Sequence, residues 1–347
     1  MRNKRNPLNE KSVFIAAEIS ANHGQKLSRA IKMIRAAKAC GADAVKFQTY
    51  TPDTMTIDVR NKHFTIVHPK WGGQTLYQLY QKAFTPWNWF KKLKQVASDE
   101  GIAFFSTAFD RTSVDFLEDL GVFCHKIASF ELVDIPLIEY MAKTRKPLIL
   151  STGMATLREI GEAVTAAKKA GASDITLLKC VSSYPAESKQ MNLRSIQDMQ
   201  KKFKLPVGLS DHTLGIAPSI AAVSLGATFI EKHFTLSRSV KTPDSFFSIE
   251  PSELKDLVHN VRLVEQSLGR VHYGLTRDEA KSLIFRRSLF VVRDMDAGEQ
   301  FTSENVRSIR PSSGLMPKHL SSVLGRKATR RLTRGTPLSF NLVSKKG

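Results

Sequence analysis

The chain has 347 residues, of which 24% are charged and 42% hydrophobic, and its formal net charge is +20. This length suits one large domain with a small second one, and a core of that size needs no disulfide bonds. The first dozen residues lack the apolar segment of a signal peptide, and no run of about eighteen apolar residues could span a membrane. The three cysteines, Cys40, Cys124 and Cys180, show no paired spacing. We therefore expect a soluble cytoplasmic protein with reduced thiols and no membrane partner.

The positive charge is scattered in small clusters rather than gathered into one basic surface. No basic and aromatic platform recurs, as it does in proteins that bind single-stranded nucleic acid. A positive field also attracts small anions such as phosphates and carboxylates. We interpret the charge as solvated surface with some value in steering substrates and expect no nucleic-acid partner, with nucleic-acid binding kept as an alternative.

Residues 13–269 alternate short apolar runs with amphipathic ones eight times. The predicted strands are Val13 to Ser20, Ala44 to Tyr50, Ile102 to Phe109, Cys124 to Ser129, Pro147 to Gly153, Ile175 to Ser182, Val207 to His212 and Phe229 to Thr235. Helical patterns with apolar residues three and four apart lie between them, for example Leu27 to Ala42, Leu157 to Ala172 and Ser252 to Gly269. Eight such pairs predict a (β/α)8 TIM barrel. An open doubly wound sheet is the alternative, although no GxGxxG turn follows the first strand.

In this barrel the active site is expected at the carboxyl ends of the strands. Nearly every predicted strand ends in polar or ionisable residues: Glu18, His23, Lys46, Gln48, Ser106, Thr107, Lys126, Ser129, Glu131, Ser151, Thr152, Lys179, Ser182, Asp211, His212, Glu231 and His233. Strand ends often gain polarity, but Lys46, Lys126 and Lys179 lie within apolar strands. Each would bury an ammonium group unless an anion met it. We therefore predict that three cations converge on a pocket for phosphate and carboxylate.

Two histidines, His212 and His233, follow successive strands and could share one divalent metal ion. The neighbouring residues Asp211, Glu231 and Asp244 supply carboxylates, and Lys232 supplies a further cation. The alternative is that both imidazoles are partly buried and bonded to backbone groups. Because each histidine follows a strand and lies beside a carboxylate, the metal interpretation is favoured.

A long insertion follows the second strand and runs to about residue 89. Loops of this length in a compact domain are usually functional or disordered. Its aromatic content argues against disorder. The aromatic residues are Phe64, Trp71, Tyr77, Tyr80, Phe84, Trp87 and Trp89. We predict a lid or specificity loop over the barrel mouth, and the alternative is a helical decoration on the side of the barrel.

The flanking segments differ from the barrel. Residues 1–12 are a charged N-terminal extension, and residues 270–286 are predicted to be a linker. Residues 287–347 show short β runs, turn signals and a helical piece from Pro317 to Leu324, typical of a small α+β domain. At about sixty residues this domain is near the lower limit for independent folding, so we expect it to pack on the barrel or on a partner subunit.

Several motifs together resemble the sialic acid synthase family. They are AEISANHG from Ala17, GADAVKFQTY from Gly41, KIASFE from Lys126, LSTG from Leu150, SSYPA from Ser182, GLSDHT from Gly208 and EKHFTL from Glu231. The C-terminal domain resembles the antifreeze-like (SAF) domain of that family. The resemblance implies a transferase that condenses phosphoenolpyruvate with an amino sugar.

Within the family, the insertion WGGQTLYQLY is most similar to that of the pseudaminic acid synthases. This implies that the sugar is 2,4-diacetamido-2,4,6-trideoxy-L-altrose, whose methyl terminus would suit an apolar, aromatic-lined pocket. Legionaminic and N-acetylneuraminic acid synthesis are the alternatives.

The resemblance also implies residue roles. His212 and His233 would bind Mn²⁺ or Mg²⁺, and Glu18 and Asp244 would act with them in catalysis. The implied phosphoenolpyruvate contacts are Lys46, Thr107, Lys126, Ser129, Ser151, Ser182 and Ser210. The implied sugar contacts are Gln48, Glu131, Tyr184 and Arg310. Arg310 would reach the barrel of a partner, which implies a domain-swapped homodimer.

The chain departs from the family pattern at three places. Thr242 and Ser245 flank the Pro243-Asp244 pair, Ala108 replaces a proline, and Ser312 replaces a glycine that permits positive φ, which puts the turn after Arg310 in question. Two other functions stay open. One is a Schiff-base aldolase, which would use a lysine of low pKa and no metal. The other is a non-catalytic protein that keeps the sugar-phosphate cleft and binds a glycan or nucleic acid through its C-terminal domain.

Overall fold

The computed structural model describes residues 12–68 and 70–345, so residues 1–11 of the predicted N-terminal extension lie outside the described residues. Within this part of the chain, eight parallel strands close into a barrel in sequence order, which confirms the predicted TIM barrel. The strands are β1 (Phe14–Glu18), β2 (Ala44–Thr49), β3 (Ala103–Ala108), β4 (His125–Ile127), β5 (Leu148–Ser151), β6 (Ile175–Cys180), β7 (Val207–Asp211) and β8 (Phe229–His233).

Helices follow the strands and cover the outside of the barrel. They are α1 (Leu27–Ala39), α2 (Pro52–Met55), α3 (Leu76–Ala83), α4 (Phe90–Asp99), α5 (Arg111–Leu120), α6 (Ile135–Ala142), α7 (Leu157–Lys169), α8 (Ser195–Phe203), α9 (Ala217–Ser224) and α10 (Pro251–Leu268). Short 3-10 turns occur at Ser20–His23, Trp87–Trp89, Ser129–Glu131 and Ser188–Gln190. Several helices begin with capping residues, such as Thr156 before α7, which forms a capping box with Glu159.

Side chains alternate between the inside and the outside of the barrel along each strand. The inward residues form an apolar layer low in the barrel, which includes Phe14, Phe105, Ile149, Leu178 and Phe229. A Cβ atom at Gly208 would lie 2.3 Å from the carbonyl oxygen of Phe229, so this inward position on β7 has room only for glycine. The large aromatic side chains thereby close the bottom of the barrel, and the inward positions one layer higher are polar.

The outward residues pack against the helices in the main hydrophobic core. Phe47 on β2 contacts the rings of Phe104 and Phe90 at centroid distances of 5.4 and 6.3 Å. All three side chains are at most 6% exposed. Burial of each such ring stabilises the fold by about 1.5–3 kcal/mol relative to exposure. This packing fixes the strands that carry the polar layer.

The insertion after β2 forms helices α2 and α3 and reaches the barrel mouth. Thr51 and Thr75 cap the two helices through capping boxes. The indole Nε1 of Trp71 donates a 2.9 Å hydrogen bond to the carbonyl oxygen of Pro243, which follows β8. Part of the insertion therefore lies where the sequence analysis placed a lid.

The chain divides between Gly269 and Arg270 into two compact units. The second unit contains a 3-10 helix at Glu279–Phe285, the antiparallel strands β9 (Ser288–Val291) and β10 (Val306–Ile309), a 3-10 helix at Pro317–His319, helix α11 (Leu320–Val323) and a 3-10 helix at Phe340–Leu342. It has its own core of buried residues, including Leu289, Val291, Phe301 and Leu338. Ser312 does not adopt positive φ, so its replacement of glycine leaves the turn unstrained. No helix in residues 12–68 or 70–345 is long and apolar enough to cross a membrane.

Candidate active site

A narrow charged cavity of about 50 Å³ lies above the apolar layer, at the carboxyl ends of the strands. We call it the charged cavity. Lys46 on β2 extends into it and lies 2.9 Å from the Glu18 carboxylate and 3.4 Å from that of Glu231. Its ammonium group also donates a 3.0 Å hydrogen bond to the Thr107 hydroxyl. The parallel register places Glu18 beside Lys46, so neighbouring strands bring these opposite charges together.

The opposite wall of the charged cavity carries a second cation and several hydroxyl groups. Lys126 on β4 donates hydrogen bonds of 2.7 Å to Ser151 and 2.6 Å to the carbonyl oxygen of Ile127. Its side chain has no ion pair in the described residues. Ser129 accepts a 3.0 Å bond from the amide of Gly153, where a Cβ atom would lie 2.2 Å from the Ser182 hydroxyl. Glycine therefore leaves room for the hydroxyls of Ser129 and Ser182. Ser129 lines the charged cavity together with Lys126 and Ser151, an arrangement that suits a phosphate group.

The two predicted metal-binding histidines lie side by side. The ring centroids of His212 and His233 are 5.3 Å apart, and both rings line the charged cavity. His212 Nδ1 lies 2.9 Å from the carbonyl oxygen of Val181, which leaves Nε2 as an acceptor if Nδ1 carries the proton. Nδ1 of His233 is buried without a hydrogen-bond partner in the described part of the chain. These two features fit a bound metal ion.

No cluster of three or more His, Cys, Asp or Glu side chains forms a metal site in the described residues. The two imidazoles would therefore be the protein ligands, and substrate or water would complete the coordination shell. The rings of Tyr184 and Phe247 pack around the imidazoles, with centroid distances of 4.5 Å from Tyr184 to His212 and 4.7 Å from Phe247 to His233. This aromatic packing restricts the orientation of both imidazole rings.

A wider cavity of about 480 Å³ adjoins the charged cavity, and Gln48, Tyr184 and His233 line both. We call it the wide cavity. One wall, which we call the polar wall, comes from the barrel and carries the polar groups of Ser20, Gln48, Glu131 and Asp244 among aromatic rings such as that of Phe247. The other comes from the insertion and is largely apolar: Met55, Ile66, Trp71, Leu76, Leu79, Tyr80 and Ala83. The wide cavity can therefore hold a ligand with one polar and one apolar side.

Burial shifts the acid-base behaviour of the carboxyl groups. It raises the pKa of Glu18 to about 7, although Lys46 opposes the shift. Burial likewise raises the pKa of Glu131 to about 7, against the effect of Lys126. The pKa of Asp244 is also raised by burial. The carboxyl groups of Glu18 and Glu131 could thus exchange protons with a substrate near neutral pH, as general acids and bases require.

Neighbouring charges and burial also shift the pKa values of Glu231 and Lys126 in the charged cavity. Burial would raise the pKa of Glu231, but Lys46 and Lys126 hold it below the usual value, so this carboxyl group stays ionised. Burial lowers the pKa of Lys126, because its ammonium group has lost water. An incoming anion would restore the lost stabilisation of that cation.

Three residues that the sequence analysis directed to the mouth lie elsewhere. Lys232 donates a 2.8 Å bond to Asp211, and both side chains are almost fully buried outside the cavity. Asp211 also accepts a hydrogen bond from Ser219 on α9, so the pair stabilises the interface between barrel and helix. Lys179 lies between the inward residues Leu178 and Cys180 on β6, and its ammonium group donates a 3.2 Å hydrogen bond to the carbonyl oxygen of Cys180. The alternation of strand side chains turns all three away from the cavity, and only two of the predicted three cations line it.

The other predicted site residues have the following positions. Thr107, Ser129, Ser151, Ser210 and Tyr184 line the charged cavity, and Glu131 and Asp244 line the wide cavity. Ser182 lies next to Gly153 at the edge of the serine cluster. Arg310 follows β10 in the second unit and is exposed, and its contact with the sugar of a partner stays a prediction.

Sequence reasoning missed several residues of the site. The sequence predicts no more for Cys180 than a reduced thiol, but its sulfur lies 3.7 Å from Nδ1 of His212. Ser20 was not singled out, although its hydroxyl contacts two predicted site residues. Its position between Glu18 and His23 in the first motif was the available signal. The sequence around the apolar residues Ile66 and Leu79 of the insertion gave no such signal, because only folding brings them to the barrel mouth.

Comparison with known proteins agrees with this architecture. Residues 33–273 match the NeuB family, and residues 286–344 match the SAF domain. The chain is 43% identical to pseudaminic acid synthase from Campylobacter jejuni, over 95% of this chain and 96% of that protein. It is 37% identical to N,N'-diacetyllegionaminic acid synthase from Legionella pneumophila, with coverage of 94% and 93%.

A solved structure supports the same assignment. The crystal structure of N-acetylneuraminic acid synthetase from Leptospira borgpetersenii superposes with a TM-score of 0.70 at 35% identity, covering 78% of this chain and 90% of that one. The family match spans most of the barrel, and the relatives span nearly the whole chain. The chain therefore belongs to the NeuB family, is an enzyme of the kind that these synthases represent, and carries a SAF domain at its carboxyl end.

Proposed function

We propose that the chain condenses phosphoenolpyruvate with an open-chain amino sugar and releases inorganic phosphate. The observation that carries the proposal is the convergence of Lys46, Lys126 and several hydroxyls next to a pair of imidazoles, with a sugar-sized cavity adjoining them. The two cations can bind the carboxylate and phosphate of one small dianion. The pseudaminic acid synthase relatives, at 43% identity, support this chemistry.

Each wall of the charged cavity would hold one end of phosphoenolpyruvate. Lys126 and the hydroxyls of Ser129 and Ser151 suit the phosphate, and Lys46 with Thr107 suits the carboxylate. Binding in this orientation directs C3 of the enol towards His212 and His233. Fixing both reactants in one geometry converts an encounter in solution into a reaction within one complex, which accounts for a large share of a rate enhancement.

His212 and His233 would hold a divalent ion such as Mn²⁺ or Mg²⁺, which when bound supplies Lewis acidity at the aldehyde oxygen of the sugar. C3 of the enol then forms the new bond to the aldehyde carbon as the C=O π bond breaks, the aldehyde oxygen takes up a proton from water, and C2 becomes electron-poor. The carboxylates of Glu18 and Asp244 can stabilise that charge, and either can take a proton from the water that adds to C2. Cleavage of the C2–O bond expels phosphate and leaves the keto acid.

We propose 2,4-diacetamido-2,4,6-trideoxy-L-altrose as the sugar. Its aldehyde carbon must lie next to the charged cavity, so its far end extends into the wide cavity. There Ile66, Leu76 and Leu79 offer no hydrogen-bond partner, which suits a methyl terminus rather than a hydroxyl. Burying an unpaired hydroxyl costs about 1–3 kcal/mol. The precursor of legionaminic acid is also a 6-deoxy sugar, so the apolar wall alone disfavours only N-acetylmannosamine.

A turnover assay tests the function directly. Phosphate release is measured from phosphoenolpyruvate with each of the three candidate sugars, with and without a chelator and with Mn²⁺ added back. We expect turnover with the altrose derivative, loss with the chelator and recovery with Mn²⁺. Failure of all three sugars would overturn the proposed function. Covalent trapping by borohydride, with full activity in the chelator, would support the Schiff-base alternative instead.

We also propose that the enzyme is a cytoplasmic homodimer in which Arg310 completes the sugar site of the partner. Two inactive variants, Arg310→Ala and His233→Ala, test this by mixing. Because a mixed dimer contains one barrel with an intact His233 facing an intact Arg310, activity should reappear after subunit exchange. Lack of recovery in verified mixed dimers would contradict the role of Arg310 in the partner's site.

A further inference from the structure

Ser20 has an unusual backbone for its residue type. It begins the 3-10 turn that follows β1, it is 2% exposed, and its φ is +46°, in the left-handed region. A side chain with a Cβ is disfavoured there, whereas glycine adopts this conformation freely. Strained residues of this kind concentrate at functional sites, where the surrounding structure holds them. The position therefore retains a side chain against its conformational preference.

The Ser20 hydroxyl connects two groups on the polar wall of the wide cavity. It accepts a 2.9 Å hydrogen bond from Nε2 of Gln48 and donates one of 2.5 Å to Oδ2 of Asp244. With Asp244 ionised the directions are fixed, because an amide nitrogen only donates and an ionised carboxylate only accepts. The backbone amide of Ala21 adds a 3.3 Å bond to the same Oδ2 atom. One hydroxyl thus orients both an amide and a carboxylate.

This connection determines which atoms face a substrate. The second hydrogen of the Gln48 amide is donated to Oε1 of Glu18 at 3.0 Å. With both amide hydrogens used, the carbonyl oxygen of Gln48 is the group left for a donor on the sugar. Oδ2 of Asp244 is likewise occupied, which leaves Oδ1 for the ligand. The polar wall is therefore set to accept hydrogen bonds from sugar hydroxyl or amide groups.

We propose that Ser20 is a positioning residue for the sugar, which holds the Gln48 amide and the Asp244 carboxylate in the orientation that binds the sugar next to the enol. This inference rests on the proposed function, since it assigns a role in the same site. Within residues 12–68 and 70–345, the Ser20 hydroxyl forms its hydrogen bonds with Gln48 and Asp244 and none with Lys46, Lys126 or the serine cluster. Its removal should therefore affect the sugar and leave phosphoenolpyruvate binding unchanged.

Two substitutions separate the hydroxyl from the backbone. Ser20→Gly removes the hydroxyl and relieves the left-handed strain, whereas Ser20→Ala removes the hydroxyl and keeps the strain. We expect both variants to lose about 10- to 100-fold in kcat/KM for the sugar, with an unchanged KM for phosphoenolpyruvate. Ser20→Gly should nevertheless unfold at a higher temperature than Ser20→Ala. The kinetic defect, common to both variants, would then be due to loss of the hydroxyl, and the difference in unfolding temperature would be due to the backbone strain.

A matched control is available at Lys204, an exposed residue at the end of α8 with φ of +54°. Lys204→Gly relieves strain of the same kind away from the site, so we expect a raised unfolding temperature and unchanged kinetics. The proposal is overturned if both Ser20 variants keep wild-type kinetics, or if the KM for phosphoenolpyruvate rises in parallel.

A crystal structure of Ser20→Gly provides a readout that does not depend on turnover. Displacement of the Gln48 amide and the Asp244 carboxylate is expected, and unmoved side chains would contradict the positioning role. Inactivity of the wild type with every sugar would instead count against the proposed function, so the two failures are distinguishable.

Discussion

The charged cavity and the wide cavity have different origins. The charged cavity is built from inward positions of the barrel strands, where neighbouring strands place Lys46 beside Glu18 and Lys126 beside Ser151. The wide cavity combines a barrel wall with residues of the insertion, which has no equivalent in the strand pattern. Under the proposed function, the barrel would supply the chemistry and the insertion would supply the selectivity for the sugar. Substitutions in the two cavities should therefore affect different steps.

The largest effect is expected for His233→Ala at the junction of the two cavities. Turnover should fall by a factor of at least about 10³, because the charged cavity loses one of the two proposed metal ligands. The Nδ1 atom has no hydrogen-bond partner in the described residues, so the fold should persist. Phosphate release and circular dichroism measure the two outcomes. His259→Ala on the exposed side of α10 is the control, and full activity of His233→Ala would remove the metal proposal.

Lys126→Met tests the charged cavity alone. We expect the KM for phosphoenolpyruvate to rise about 100-fold, because the phosphate loses a charge-assisted hydrogen bond, while the KM for the sugar changes little. Lys179→Met on the same barrel is the control, since Lys179 does not line the cavity, and it should stay within a few-fold of wild type. Equal defects in the two variants would contradict the placement of the phosphate. Initial rates at varied substrate concentrations provide the measurement.

Leu79→Asn tests the wide cavity. An amide on the insertion gives a terminal hydroxyl a partner, so the preference for the 6-deoxy sugar over N-acetylmannosamine should decrease by about 10-fold. The KM for phosphoenolpyruvate should remain unchanged. The exposed Leu263 on α10 offers a control substitution to Asn. An unchanged ratio of kcat/KM for the two sugars would show that the apolar wall does not select the sugar terminus.

The smallest effect concerns stability rather than turnover. The pKa of Glu131 is about 7 in the folded chain and near 4.5 when unfolded. Between these pH values Glu131 loses its proton in the unfolded chain before it does so in the folded chain. Its contribution to the free energy of unfolding is therefore fully present below about pH 4.5 and falls as the pH rises to about 7. The loss amounts to at most about 3 kcal/mol. Glu131→Gln should flatten the dependence, and unfolding midpoints measured from pH 5 to 7.5 would detect it. Parallel curves for both proteins would contradict the raised pKa.

The barrel was predictable because its signals are local and repeat. Each strand is a short apolar run, and each helix has apolar residues three and four apart, so the order of elements follows from the sequence. It was harder to predict from the sequence which face of a strand a residue occupies. Both faces of a parallel barrel strand are apolar, so nothing in the run before Lys179 shows which face is inward. Lys46 and Lys126 were placed correctly in the cavity, whereas Lys179, Lys232 and Asp211 were not.

The walls of the wide cavity were harder to predict than its polar groups. The contact between Trp71 and Pro243 joins positions 172 residues apart, and no periodic pattern encodes it. The insertion was recognised from its length and aromatic content, but its apolar lining residues were not. The hydroxyl of Ser20 was missed for the same reason, since its partners Gln48 and Asp244 lie on other parts of the chain.

The buried Asp211–Lys232 pair has a consequence for the two imidazoles on the opposite face of the sheet. Asp211 immediately precedes His212, and Lys232 immediately precedes His233, so one ion pair of 2.8 Å joins the backbones that present both rings. Removing one partner of such a pair costs about 3–5 kcal/mol and leaves the backbone pairing of β7 and β8 to join the two strand ends. The Asp211–Lys232 pair thus helps to fix the spacing of the two rings, although neither side chain lines the charged cavity. A substitution outside the pocket can therefore reduce activity.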